Sequence, residues 1–261
     1  MAPITADKTG RLGFVVGGAQ KCGTTALHAY LCRHPELEMA REKETHFFDE
    51  EEAVDWRDPD YGPLHAQFGG ESQRLRGEAT PITMYWTPAH WRLLRYNPDI
   101  RFIFMLRDPV ERAWSHWRMN IRRELDHLPF DLAIREGRMR VLADPLHSGI
   151  ARHSSYIERG LYGRQVAALT TLFPLANMLF LRQQDLSDAP DTALARVADF
   201  LKLSPFAPVE HVRANVADPD GHAPMSDEDR AYLIDIFHAD LLRLHNLTGV
   251  AVGSAETALA E

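Results

Sequence analysis

The sequence predicts an α/β fold, a central parallel β-sheet flanked by helices, on three observations. Residues 12–31 pass from an apolar run through glycines into an amphipathic stretch, residues 98–120 repeat the pattern with Asp-Pro at the junction, and residues 177–203 repeat it more faintly. Successive strand-helix units build parallel sheets, and such sheets bind ligands beyond the carboxyl ends of their strands. "LGFVVGG" reads as a buried strand feeding a tight turn, and Leu27, Tyr30 and Leu31 mark a helix that begins at Thr24 and stops at Pro35. "IRFIFML" reads as the next strand, with Asp108 as N-cap, Pro109 at the first helical position and Val110, Ala113, Trp114 and Trp117 as an apolar stripe. "NMLFLRQQDL" reads as strand then turn, and "APDTALARVADFLKL" as an amphipathic helix. Residues 120–175 are helical in character but irregular. "MSDEDRAYLIDIFHADLLRLHNL" is a C-terminal helix capped by Ser226. No repeat, low-complexity tract or linker interrupts the chain, so residues 1–261 are expected to form one domain with frayed tails at 1–11 and 249–261.

Composition narrows the function. A formal net charge of −8 excludes nucleic-acid or anionic-membrane binding through a whole-surface field, so an anionic ligand must be met by local basic groups. The basic stretch "RMNIRRELDH" fits a solvated helix face. No run of 18 apolar residues and no secretory stretch is present, which predicts a cytoplasmic chain without a membrane span. Cys22 and Cys32 are expected as reduced thiols, since a bridge between them would have to straddle a helix.

The stretch "GGAQKCGTT" carries the chemistry. A strand that turns through glycines into a helix offers unpaired N–H groups and the positive end of the helix dipole to an anion, and Lys21, Thr24 and Thr25 add a charge and two hydroxyls. The lysine stands two residues before the last glycine, so the G-x-x-x-x-G-K-[ST] loop of nucleotide hydrolases is not matched; G-x-G-x-x-G is not matched either. An ATP-dependent kinase with a degenerate loop would need a magnesium-holding hydroxyl after the lysine, where Cys22 stands. His28, His34 and His46 lack the spacing of a helical zinc motif, and no metal is expected.

A Gly-x-x-Lys-x-Gly-Thr loop after a first strand resembles the donor loop of sulfotransferases that use 3'-phosphoadenosine 5'-phosphosulfate (PAPS). "KETHFFD" resembles the Glu-x-His-Phe-Phe-Asp segment of heparan sulfate 3-O-sulfotransferases, and "LRDPVERAWSHW" resembles the family's Arg-Asp-Pro-x-x-Arg-x-x-Ser stretch. The likeness runs in order from about residue 12 to 245 and covers the heparan sulfate 3-O- and N-sulfotransferase type. It implies the P-loop-kinase-like sulfotransferase fold, PAPS as donor and 3'-phosphoadenosine 5'-phosphate (PAP) as product. It implies that Gly18, Gln20, Lys21, Cys22, Gly23, Thr24 and Thr25 hold the 5'-phosphosulfate, with Lys21 also stabilising charge as sulfonate departs. It implies that Arg107 and Ser115 bind the 3'-phosphate, Tyr162 being either a further contact or core. Glu44 corresponds to the general base, His46 to an orienting or proton-sharing partner on the same side of an extended segment, and Asp49 and Glu78 to acceptor-side residues. Phe47, Phe48, Trp114 and Trp117 are expected in the core rather than against ligand.

Two positions depart from the family. Ala79 stands where many 3-O-sulfotransferases carry a lysine before Thr-Pro, and "VADPDGHAPMSDE" lacks the late Lys-Gly-Arg loop, leaving His222 and Arg213 as the available substitutes. These departures and the acidic balance point to a small-molecule, lipid or saccharide acceptor unlike a sulfated polysaccharide. A non-catalytic PAP-binding protein is the reading from a different class.

Overall fold

The computed structural model describes residues 10–69, 73–144, 149–208 and 224–258. In chain order the elements are β1 (Phe14–Gly18), α1 (Thr24–Leu31), β2 (Leu37–Met39), α2 (Gly62–His65), β3 (Leu75–Glu78), α3 (Thr87–Tyr96), β4 (Arg101–Leu106), α4 (Pro109–Arg122), α5 (Phe130–Ile134), α6 (Glu136–Ala143), α7 (Gly149–His153), α8 (Tyr162–Thr170), β5 (Met178–Arg182), α9 (Gln183–Asp188), α10 (Pro190–Leu201), α11 (Asp227–Thr248) and α12 (Ser254–Ala258). Their contacts gather into two compact units. The first takes Met1–Leu106 with Ala168–Val216, the second Arg107–Ala167 with Ala217–Glu261.

The first unit is built on a five-stranded sheet of order β2-β3-β1-β4-β5 in which every pairing is parallel. All five residues of β1 are buried, as are Phe102 to Leu106 of β4, which is why these strands read as unbroken apolar runs rather than alternating ones. Phe102 stacks on Phe104, which in turn faces Phe180 of β5. Position 77 is glycine for a steric reason: it pairs with Phe14 across the sheet, and a Cβ there would lie 2.1 Å from the Phe14 ring. β2 and β3 are new relative to the sequence reading. Each is only three or four residues long and carries charge, and Glu38 and Arg76 on these paired strands meet at 3.1 Å.

In the second unit, α4 opens as anticipated. The Asp108 carboxylate accepts from the N–H groups of Val110 at 2.7 Å and Glu111 at 3.4 Å, with Pro109 at the first position. Ser226 caps α11 by accepting from Asp229 N–H at 3.1 Å. Leu233, Phe237, Leu241 and Leu244 bury one face of α11. From the same helix the Asp240 carboxylate accepts from Gly163 and Arg164 N–H at 2.7 and 2.8 Å, closing the start of α8.

Two expectations are corrected. Residues 183–188 form a helix, not a turn: Arg182 pairs with Asp185 at its start and Leu186 is buried beneath it. The chain after 249 is packed where it is described, since Val252 and Ala255 are buried, Gly253 lies against Asp108 and Pro109, and residues 254–258 are helical. At the other end the Gly10 carbonyl accepts from Arg76 and Arg11 donates to the Tyr96 carbonyl, so these two residues are tied; residues 1–9 and 259–261 lie outside the described ones. Among the described residues no helix is long and apolar enough to cross a membrane. The Gly77→Ala substitution is expected to lower stability by about 1–3 kcal/mol through overpacking against Phe14. Chemical unfolding measures this, and an unchanged midpoint would mean that the ring turns aside freely.

Candidate active site

In the first unit the chain leaves β1 at Gly18 and reaches α1 through a turn pinned by two backbone bonds, Ala19 N–H to the Met105 carbonyl at 2.7 Å and Cys22 N–H to the Ala19 carbonyl at 3.2 Å. Lys21 has a left-handed backbone (φ +69°) and a partly exposed side chain. Gly23 is the helix N-cap at φ +85°, a conformation that glycine adopts without steric cost. The Cys22 side chain is fully buried, its thiol directed to the Gln20 carbonyl at 3.7 Å, and Gly18 is packed under Met84, so these two residues shape the loop from within. Thr24 is buried and Thr25 exposed. The start of α1 differs from α4 and α11 in having neither a side-chain cap nor an acidic residue in its first turn. No cap side chain and no acidic residue of its own first turn offsets its N–H groups and dipole, an arrangement that suits a phosphate or sulfate.

The acidic loop is anchored to the neighbouring strand. β3 ends at Glu78, and the next carbonyl, that of Ala79, accepts from Glu44 N–H at 3.0 Å. Because β2, β3 and β1 are parallel neighbours, the acidic loop that follows β2 and the glycine loop that follows β1 leave the same edge of the sheet. His28 on α1 reports this closeness: burial first, then the Lys43 charge, lowers its pKa, while Glu44 raises it.

Residues 44 and 46 do come together, but not along an extended segment. Both have left-handed backbones (φ +65° and +52°), and the loop coils so that His46 Nε2 lies 3.7 Å from Glu44 Oε2. His46 Nδ1 is 2.9 Å from Asp49 Oδ2, and the Lys43 ammonium pairs with Glu44 Oε1. The Glu44 side chain is 38% exposed, whereas Asp49 and Glu78 are each 1% exposed. These two carboxylates thus lie beneath the loop instead of on an open acceptor face. Asp49 holds His46; Glu78 Oε2 accepts from the hydroxyls of Thr45 and Thr80, the latter at 3.1 Å. Burial pushes the Glu78 carboxyl from its ordinary 4.5 to about 7; the Asp49 charge adds to this, and the two hydroxyl bonds and His46 oppose it. Lys43, Thr45 and Thr80 were not singled out from sequence. The position of Thr45 between Glu44 and His46 was the available signal.

In the second unit, Arg107 is the first residue beyond β4 and Ser115 lies on a partly exposed face of α4 with Glu111 and Arg118. Tyr162 is fully buried and donates to the Arg107 carbonyl at 3.2 Å, so it packs in the core and fixes the Arg107 backbone. Arg112, the second arginine of the motif, is also fully buried; it donates to the Tyr156 carbonyl and approaches His116 Nδ1 at 3.4 Å. Phe47 and Phe48 belong to an aromatic core cluster with Trp56, as expected. Trp117 is buried and Trp114 partly exposed; stacked 4.9 Å apart, they line a cavity of about 810 Å³. His222 and Arg213 lie outside the described residues. Among the described residues no group of three or more His, Cys, Asp or Glu could hold a metal ion.

The sulfotransferase domain family matches residues 13–218. The membrane-associated sulfotransferase kil1 of Dictyostelium discoideum is 26% identical over 310 aligned residues, 90% of this chain and 64% of that protein. The mouse heparan sulfate glucosamine 3-O-sulfotransferase 3B1 is 30% identical over 210 residues, 77% of this chain and 48% of that protein. The chain thus spans about half to two thirds of the length of these relatives. A crystal structure of a sulfotransferase from Alicyclobacillus acidocaldarius superposes with a TM-score of 0.76 at 25% identity, covering 94% of this chain and 99% of the other. The sulfotransferase domain from the curacin biosynthetic pathway shares the fold, with a TM-score of 0.54 at 14% identity over 93% and 99% of the two chains.

A carboxyl whose folded-state pKa is raised stabilises the fold most below its unfolded value and loses that contribution as pH rises through the folded one. For Glu78 the window runs from 4.5 to about 7. Across it the stability of Glu78→Gln relative to the wild type should climb by up to about 3 kcal/mol. Urea titrations across this pH range test the sign; a gap that does not move with pH would mean that Glu78 is not the titrating group.

Proposed function

The chain belongs to the sulfotransferase family, and from that premise we propose that it is a PAPS-dependent enzyme acting as one catalytic domain, with a hydroxyl, less readily an amine, as acceptor. The observation that carries this reading is the shared sheet edge: a helix start with no acidic residue in its first turn, flanked by Lys21, stands beside a loop in which the Glu44 carboxylate is 38% exposed and in contact with His46. Bound PAPS supplies an activated sulfonate with PAP as the departing group. Lys21 and the N–H groups and hydroxyls of Thr24 and Thr25 hold the phosphosulfate end, with Gln20, Cys22, Gly18 and Gly23 shaping the turn. The Lys21 ammonium and the helix start stabilise negative charge there. In the second unit Arg107 and Ser115 take the 3'-phosphate; Arg107 has its backbone fixed by Tyr162 and offers a fork of donors.

Glu44 removes the acceptor hydroxyl proton, and the His46 ring, held by Asp49 on one nitrogen, presents the other toward Glu44 and the acceptor. The names of the mammalian relatives favour a saccharide among small-molecule, lipid and saccharide acceptors. The formal charge of −8 favours one with few sulfates.

The test is thermal unfolding with titrated PAP and, separately, ATP, without magnesium. PAP at 100 times its dissociation constant should add about 2.7 kcal/mol. Lys21→Ala should abolish the response, and ATP should give far less. Glu44→Gln should keep the PAP response and lose about 10²- to 10⁴-fold in turnover of PAPS. Unimpaired turnover in Glu44→Gln would remove the base. A stronger, magnesium-requiring response to ATP would favour a kinase, and a PAP response without turnover in the wild type would favour a non-catalytic PAP-binding protein.

A further inference from the structure

The reading of Glu44 as base leaves open what aims it. Glu44 and His46 both occupy left-handed backbone conformations that side-chain-bearing residues rarely adopt, and they flank a single residue. Such a pair persists only where neighbouring structure over-determines it. The tethers can be named. Glu44 N–H is held by the Ala79 carbonyl, His46 by Asp49, and Thr45 by the buried Glu78 carboxylate at the end of β3. The Thr45 hydroxyl works in both directions: it donates to Glu78 Oε2 and accepts from Phe47 N–H at 3.4 Å. It therefore joins the sheet below to the loop on both sides of His46.

We infer that Thr45, through its hydroxyl bond to Glu78, is a positioning residue that fixes the directions of Glu44 and His46 for proton removal. This rests on the proposed role of Glu44. The side chain of residue 45 touches no reacting group. Thr80 supplies the second hydroxyl to the same Glu78 oxygen, and Asp49, His46 and Tyr96 are titratable groups coupled to it. The carboxylate is held on the strand side, so loss of the Thr45 hydroxyl removes one of the loop's three tethers while leaving the carboxylate its bond from Thr80.

Valine has the shape of threonine without the hydroxyl, and serine keeps the hydroxyl without the methyl. The experiment measures kcat and KM for conversion of PAPS to PAP, with water and a panel of simple alcohols and phenols as acceptors. It compares wild type, Thr45→Val, Thr45→Ser and Glu44→Gln, with PAP-induced thermal stabilisation as a check on folding and donor binding. Misplacement of reacting groups by about 1 Å costs of the order of 100-fold in rate. Thr45→Val should therefore lose ten- to hundredfold in kcat, with KM for PAPS and the PAP response within about twofold of wild type, and Thr45→Ser should retain most of the wild-type kcat. Hydrogen exchange of the 44–49 amides should accelerate in the valine variant and not in the serine one. Wild-type kcat in Thr45→Val, alongside an impaired Glu44→Gln, would overturn the positioning role and leave the base intact. An unimpaired Glu44→Gln, or no turnover of PAPS by the wild type, would bring down the base reading and this inference with it.

Discussion

The parallel pairing of β1 with β3 on one side and β4 on the other is the constraint from which the candidate site follows. Phe14 faces Gly77 in one neighbour and Arg101 in the other, so three consecutive strands of the sheet end at the same edge. Three segments of different chemistry leave from there. β1 delivers the glycine turn and Lys21, β3 delivers the carbonyl of Ala79 that anchors Glu44, and β4 ends one residue before Arg107. A one-residue slip of β3 against β1 would put a side-chain-bearing residue opposite Phe14 and move Glu78 away from Thr45. The Gly77–Phe14 pair therefore secures both the register and the height of the acidic loop.

Beneath that loop the polar chemistry is ordered by burial. Glu78 and Asp49 are nearly inaccessible, and each bonds to a residue of the loop. Glu44, by contrast, keeps more than a third of its side chain open. A carboxylate sealed in protein is a poor collector of an acceptor proton, whereas one supported from below and open above can exchange water for a hydroxyl. Depth therefore separates the acids: Glu78 and Asp49 are placed to support the loop, and Glu44 is the one of the three open enough for the proton transfer proposed for it.

The long elements were legible because their signals are redundant. β1 and the Phe102–Leu106 part of β4 are apolar runs, and α4 and α11 carry their caps in the sequence as Asp108-Pro109 and Ser226. β2 and β3 were not legible, since strands of three and four residues with Glu38 and Arg76 among them carry no period, and the ion pair that satisfies those charges exists only after pairing. Motif spacing singled out Glu44, His46 and Asp49, which the structure brings into contact, while Thr45 was passed over as the variable place in Glu-x-His. Its hydroxyl bond is to Glu78, 33 residues away, and no local pattern encodes that distance. The same limit applies to Glu78 and Asp49, which the resemblance placed on the acceptor side: motif position carries no depth, and only tertiary packing shows that both are buried.

The absence of a lysine at position 79 can be followed to its consequence. Ala79 is 1% exposed, and its carbonyl is committed to Glu44 N–H. An ammonium sealed there would need a buried partner, and the carboxylate next to it in the chain, Glu78, already receives two hydroxyl bonds. The cation beside Glu44 is instead Lys43, from the same loop, with 22% of its side chain exposed against 38% for its partner. Ion pairs open to water to this degree are worth at most about 1 kcal/mol. A cation on the loop moves with the carboxylate it serves, whereas one on the strand would hold a fixed place. If Glu44 is the base proposed above, its alignment depends on how firmly the loop itself is held, through the Ala79 carbonyl, Asp49 and the bond between Thr45 and Glu78.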